Sequence, residues 1–218
     1  MGCLRKLFTG LGCLVFVVAA VALAVVYRDR LAALYYRVRG RPQPPPPVWV
    51  AAPPGAAARA ESTLAPLARR GGPAYVDLTA GELAGLIAAA VAREPGGPQL
   101  FDSVAVVLGE GRVEVRGSLN VAALPRRLLG PLAPGLGGRE RMVAGGTLAV
   151  APGGTLRWTI DALKIGELPF PHAALPAILH AMHLPGLEGT ALPIPLPRGA
   201  GDVRVHPPWV RLYRAAPR

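Results

Sequence analysis

Histidine, serine and carboxylate positions are where chemistry would sit. His180 and His183 stand at i, i+3 in a helical pattern, so both project from one side of a turn. Two such imidazoles could share a metal ion, with His172 or Glu167 as a third ligand. The HExxH pattern of zinc hydrolases is absent, because the residues between the pair are Ala181 and Met182. The plainer reading is two histidines near a helix end that Pro185-Gly186 terminates, with no metal and no cofactor expected.

Nucleophilic catalysis has little to work with. Ser62, Ser103 and Ser118 are the serines of the chain, and no GxSxG elbow surrounds any of them. Asp161 and Glu167 are close enough in sequence to form a carboxylate pair, although charges on a wet strand face more often serve solubility. Gly135 to Gly138 lacks the GK[ST] ending of a phosphate-binding loop. Cys3 and Cys13 fall in or beside an apolar segment, so neither a disulfide framework nor a thiolate metal site is expected in the folded part. Met1-Gly2-Cys3 begins like an acylated protein, but Lys6 occupies the place where myristoylation needs Ser or Thr. The expectation is a protein without catalytic residues.

The elements that would position these residues follow from composition. The chain has 218 residues, 51% hydrophobic and 17% charged, with 27 Gly and 25 Pro. That length allows one or two domains, and the apolar content excludes full disorder. Glycine shows no triplet period, which excludes collagen. The formal net charge is +11, of which residues 1–41 contribute +6. The remaining arginines are scattered rather than gathered into a stripe with aromatics, so nucleic-acid binding is not expected.

Residues 7–27 carry no charge and are flanked by Arg5-Lys6 and Arg28. As a helix they would span about 30 Å, the thickness of a bilayer core. The apolar run exceeds the roughly 7–15 residues of a signal peptide, although Ala22-Leu23-Ala24 resembles a cleavage site. An uncleaved signal-anchor after a basic tail at 1–6 is the preferred reading. Arg28, Arg30, Arg37, Arg39 and Arg41 follow it, and taken alone they would keep the rest of the chain in the cytoplasm. A short basic start before one apolar segment is also how exported chains begin. On that basis we expect a single-pass protein of the bacterial inner membrane, its C-terminal domain extracytoplasmic, with an Arg-rich juxtamembrane helix at 28–41 against the lipid headgroups. Residues 42–60, containing Pro42, Pro44 to Pro47, Pro53 and Pro54, read as a semi-rigid spacer.

The folded domain is expected at 61–218. Thr79 and Glu82 form a capping box before Leu83, Leu86, Ile87, Ala90 and Val91, an amphipathic helix with one apolar stripe. Strands are expected at 103–108, 112–121, 142–150, 155–164, 203–205 and 209–213, with a second helix at 173–183. In the second strand Val113, Val115, Leu119 and Val121 alternate with Arg112, Glu114, Arg116, Ser118 and Asn120, so one face must be buried and one wet. The fold class is α+β: an N-terminal transmembrane helix, then a curved antiparallel sheet of about six strands wrapping two or three helices.

The helix LTAGELAGLIAAAV, the strand ending VEVRGSLNV, the hairpin arm TLRWTIDALKIGELPFP and the closing LPRGAGDVRVHPPWVRLYR carry a family likeness. A strand running into Ile165-Gly166-Glu167-Leu168-Pro169 before a helix resembles the bacterial YpmS-type membrane-anchored proteins, and the closing strand pair resembles the LmeA-type lipid-binding proteins. The likeness covers about residues 74–214. It implies an extracytoplasmic domain of the tubular lipid-binding type, in which a curved sheet around a helix leaves a lipophilic channel.

A channel of that kind would be lined by the apolar faces: Leu83, Leu86, Ile87, Val104, Val106, Val113, Val115, Leu119, Leu148, Leu156, Trp158, Ile160 and Ile178. Each buried CH₂ is worth about 0.8 kcal/mol, so an alkyl chain of about 14 carbons brings on the order of 10 kcal/mol before ordering costs. The functional expectation is an envelope protein that binds a lipid or other lipophile in an apolar groove. The alternative is a structural or scaffolding protein in which the same faces close into a core and protein partners, not identified, bind outside.

Overall fold

The computed structural model describes residues 47–94, 96–123, 138–151, 154–182 and 186–216. They belong to one compact unit, Pro47–Arg218. The basic tail, the apolar segment 7–27, the arginines at 28, 30, 37, 39 and 41, both cysteines, most of the excursion 123–138 and His183 lie outside the described residues. Among the described residues no helix is long and apolar enough to cross a membrane.

The chain forms two antiparallel sheets and a few helices, an α+β architecture. Strand β1 (Val50–Ala51) is followed by helix α1 (Ala56–Leu64) and a 3₁₀ turn (Ala65–Ala68). Strand β2 (Tyr75–Thr79) leads into α2 (Ala80–Arg93), and the short α3 (Gly97–Leu100) into β3 (Phe101–Gly109) and β4 (Arg112–Asn120). The long hairpin β5 (Arg139–Ala151) and β6 (Thr155–Ile165) continues into β7 (Leu168–Phe170). A 3₁₀ turn (His172–Ala174), α4 (Leu175–Ala181), β8 (Ala191–Ile194), β9 (Ala200–His206) and β10 (Trp209–Arg214) complete it.

The large sheet has seven strands in the order β1-β3-β4-β5-β6-β7, with β8 also on the outer edge of β6. The second sheet is β2-β10-β9. The expectation of about six strands therefore missed β1, β2, β7 and β8, which have two to five residues each and are too short for a periodic signal.

Alternation along β4 sets the layers. Val113, Val115, Gly117 and Leu119 are buried, while their neighbours are only half-covered on the other face. On β6, Leu156 and Ile160 are buried and Thr159 and Asp161 are not. A register shift opposite Gly145 and Gly146 then leaves both Asp161 and Ala162 outside and returns Leu163 and Ile165 to the interior.

The apolar face of the large sheet is covered in two parts. Over β3, β4 and the start of β6 lie α1, α2 and the inner face of the small sheet, bringing Leu67, Leu78, Ala84, Val203, Val205, Val210 and Leu212 against Val104, Val106, Val113, Val115 and Leu156. Over the other end lies α4, whose Leu175 and Leu179 meet Leu119, Met142, Ile160, Leu163 and Ile165. Among the described residues no polar or charged residue is buried.

The capping box forms as its residues require: the Glu82 backbone N–H donates to Thr79 Oγ1 at 3.2 Å, and the Thr79 N–H donates to Glu82 Oε2 at 2.9 Å. The helix it opens is not seated by its leucine stripe alone. Gly81, Ala84 and Gly85 are its fully buried positions, and α1 packs so close that a methyl group on Gly85 would stand 2.6 Å from the Ala56 Cβ. Leu83, Leu86 and Ile87 are half-buried around that contact.

Residues 47–60, read from sequence as spacer, hold β1 and the first half of α1. Proline there does not extend the chain. Pro53 and Pro54 enter a tight turn before the helix, with Pro54 and Gly55 (φ 71°) at its centre and the Ala56 N–H donating to the Pro53 carbonyl at 3.0 Å, and Ala56 and Ala60 then bury at helical spacing.

Candidate functional site

The residues with catalytic chemistry are not brought together. His172 lies in the 3₁₀ turn and His180 on α4, both exposed. Among the described residues no group of three or more His, Cys, Asp or Glu is arranged to hold a metal ion. Asp161 and Glu167 do not pair. Asp161 accepts two hydrogen bonds from Arg112, at 2.7 and 2.6 Å, and Glu167 accepts one from Lys164 at 2.9 Å, which holds its carboxyl below the usual range. Ser62 donates to the Arg59 carbonyl at 2.7 Å.

Ser103 has a less ordinary setting. It sits where β3 shifts register against β4, and its φ of 57° is the one positive value among the described non-glycine residues. Asp102 beside it is held below the ordinary carboxylate range, first by hydrogen bonding from Ser103, with Arg139 and Ser118 adding to it. Arg139 is also its salt-bridge partner. This cluster borders a hollow of about 170 Å³ between α2 and β3, lined by Ala88, Val91, Ala92, Pro98, Phe101 and Val104 besides the two polar residues. A cavity of roughly 150 Å³ takes benzene. This hollow is itself partly open to solvent, so the comparison bounds its size without making it an enclosed site. A second, of about 310 Å³, is a solvent-open dent among Glu61, Leu64, Ala65, Ala68, Pro197 and Arg198.

The thirteen lining candidates occupy other places. Val106 and Leu119 are fully buried, and Val104, Val113, Val115, Leu156 and Ile160 nearly so. Each packs within one of the two core clusters. Leu148, Trp158 and Ile178 lie half-buried at the cluster margins. Of the thirteen, only Val104 borders the 170 Å³ hollow. The Trp158 indole N–H is buried with no acceptor, alone in this among the described side chains. All thirteen lie within or against the two core clusters.

The small sheet presents a different surface. Its inner face is Val76, Leu78, Val203, Val205, Val210 and Leu212. Its outer face is a grid of nine residues set by register: Thr79, Trp209 and His206 in one row, Asp77, Arg211 and Arg204 in the next, Tyr75, Tyr213 and Asp202 in the third. Arg211 donates to both Asp77 oxygens at 2.7 and 2.8 Å and lies 4.1 Å from the Tyr75 ring centre. That contact holds the Asp77 carboxyl below its ordinary range.

The Tyr75 and Tyr213 rings are 6.0 Å apart at 52°, and Arg204 stands over Tyr213 at 5.4 Å. His206 reaches Glu110 of the β3–β4 turn at 3.1 Å, and the Gly111 N–H donates to the Val205 carbonyl at 2.9 Å, joining the two sheets. Tyr75 and Trp209 remain 46% and 45% exposed, two of the four large hydrophobic residues so placed in the described chain.

Sequence reasoning passed over this face. Its signal was present in YVDLT and WVRLYR, where apolar and polar or aromatic residues alternate, but only the second was read as a strand. Compared with family models, curated proteins and solved structures, the chain matches none.

Proposed function

We propose that this chain is a non-catalytic, membrane-anchored protein of the cell envelope whose folded unit is a closed-core scaffold that binds through its outer surface. The anchoring rests on the apolar run at 7–27, and the envelope setting on that run together with the YpmS-type and LmeA-type likeness. The observation that carries the scaffold reading is closure of the interior. Val106, Leu119, Ile160, Ile165, Leu175 and Leu179 are each less than 2% exposed on the face where a lipid would lie. An apolar face satisfied by its own side chains has no surface left to offer an acyl chain.

The lipid-carrier reading is the competitor, and the experiment separates them. The full chain would be extracted in a detergent, exchanged extensively and examined by native mass spectrometry with organic extraction of the same sample. The scaffold reading expects no stoichiometric lipid. One lipid per chain surviving exchange would replace it with the carrier. The export reading is tested by a C-terminal alkaline phosphatase fusion, expected active; a well-expressed inactive fusion would place the domain in the cytoplasm.

A further inference from the structure

We propose that the outer face of the sheet β2-β10-β9 binds a neutral carbohydrate chain, the neighbouring rings of Tyr75 and Tyr213 taking the C–H face of one sugar, Trp209 that of another further along the chain, and the charged middle row the hydroxyls between them. The proposal builds on the scaffold reading by naming what the surface holds.

Size comes first. Three strands about 4.8 Å apart, with side-chain rows about 7 Å apart, give a patch of about 300 Å². A stable protein interface covers about 800 Å² on each partner. The patch is too small to hold a folded protein by itself, and it suits a chain a few rings long.

Charge comes second. Arg204 and Arg211 are matched on the same face by Asp77 and Asp202, and His206 is engaged by Glu110. A surface built for phosphate or nucleic acid carries an excess of cations. This one is balanced, which favours an uncharged partner.

Ring chemistry comes third. The rings flank a row of side chains that both donate and accept, and the two-point Arg211–Asp77 pair fixes the direction of its groups. Sugars present an apolar face and a rim of hydroxyls, which suits a face where rings and polar groups are interleaved.

The test uses the full chain in a polyoxyethylene detergent, which carries no sugar. The probes are hexamers of β-1,4-glucose and of N-acetylglucosamine, with dextran sulfate as the anionic comparison, each titrated calorimetrically. At least one neutral hexamer is expected to bind, and Trp209→Ala to weaken it about tenfold or more, the loss of one ring contact. The double variant Tyr75→Ala/Tyr213→Ala is expected to do the same, which keeps the test open if one variant folds poorly; thermal melts establish folding. The proposal is overturned if neither hexamer binds, if both variants bind as wild type does, or if dextran sulfate alone binds. Lipid retention reads the core and glycan titration reads this face, so the two proposals fail separately.

Discussion

Arg112 of β4 lies across β5 and holds Asp161 of β6 in a two-point ion pair, through a notch that exists because residue 145 is glycine. A Cβ on Gly145 would stand 2.6 Å from Arg112 Nη2. Three strands are thus tied on their wet face by one side chain, and Glu114 joins at 3.3 Å.

The notch predicts a coupling. Asp161→Ala should cost about 0.5–1 kcal/mol in the natural background, the range for a partly exposed pair of good geometry. In a Gly145→Val background, where the Arg112 path is filled, the same change should cost nothing. Urea unfolding of the four chains measures this cycle. Equal costs in both backgrounds would show that the pair does not depend on the notch.

Gly85 gives a prediction against helix propensity. Gly→Ala inside a helix ordinarily gains about 1 kcal/mol. Here the new methyl would press on Ala56, so Gly85→Ala should lower the melting temperature, by an overpacking cost of about 1–3 kcal/mol. A rise in melting temperature would mean that α1 is not held in this contact.

Acid should weaken the tie between β2 and β10. The Asp77 carboxyl is depressed by its hydrogen bond from Arg211, so the folded chain binds its proton less readily than the unfolded chain. The stability it adds is fully present above the ordinary carboxylate pKa of about 4 and is lost as pH falls through the lower folded value. The advantage of wild type over Asp77→Asn, measured by denaturation across that window, should be flat above about pH 5 and shrink toward about pH 2. An advantage that grows with acidity would reverse the assignment.

The two faces of β4 should respond oppositely. Val115 is 4% exposed within the core, whereas Glu114 is half-buried on the wet side. Val115→Asp places a carboxylate in an apolar interior and should cost about 4 kcal/mol or more, while Glu114→Gln should stay within about 0.5 kcal/mol. Comparable effects would place the wrong face inside.

Elements with a long period were legible in the sequence. The β4 alternation, the Thr79–Glu82 cap and the β5–β6 hairpin all appear where their residues indicated, to within a few positions at each end. Elements held by tertiary contact were not. Helix α1 hides in a Pro/Ala tract because its buried residues, Ala56 and Ala60, are too small to mark a stripe. β7 and β8 exist only as short additions along one edge of β6. The candidate site was less legible still. Periodicity shows which side chains leave water, but it is equally satisfied by a core and by a channel. The aromatic face needed the β2–β10 register, which no local pattern supplies.

Leu119 decides most directly whether the interior is a core or a lining. It is fully buried against Leu175, Leu179 and Ile160 in the cluster under α4. Urea unfolding of Leu119→Ala should show a loss of about 2–5 kcal/mol, the cost of a cavity in packed surroundings. A loss below about 1 kcal/mol, the response of a side chain facing open space, would contradict the closed core and return the protein to the lipid carriers.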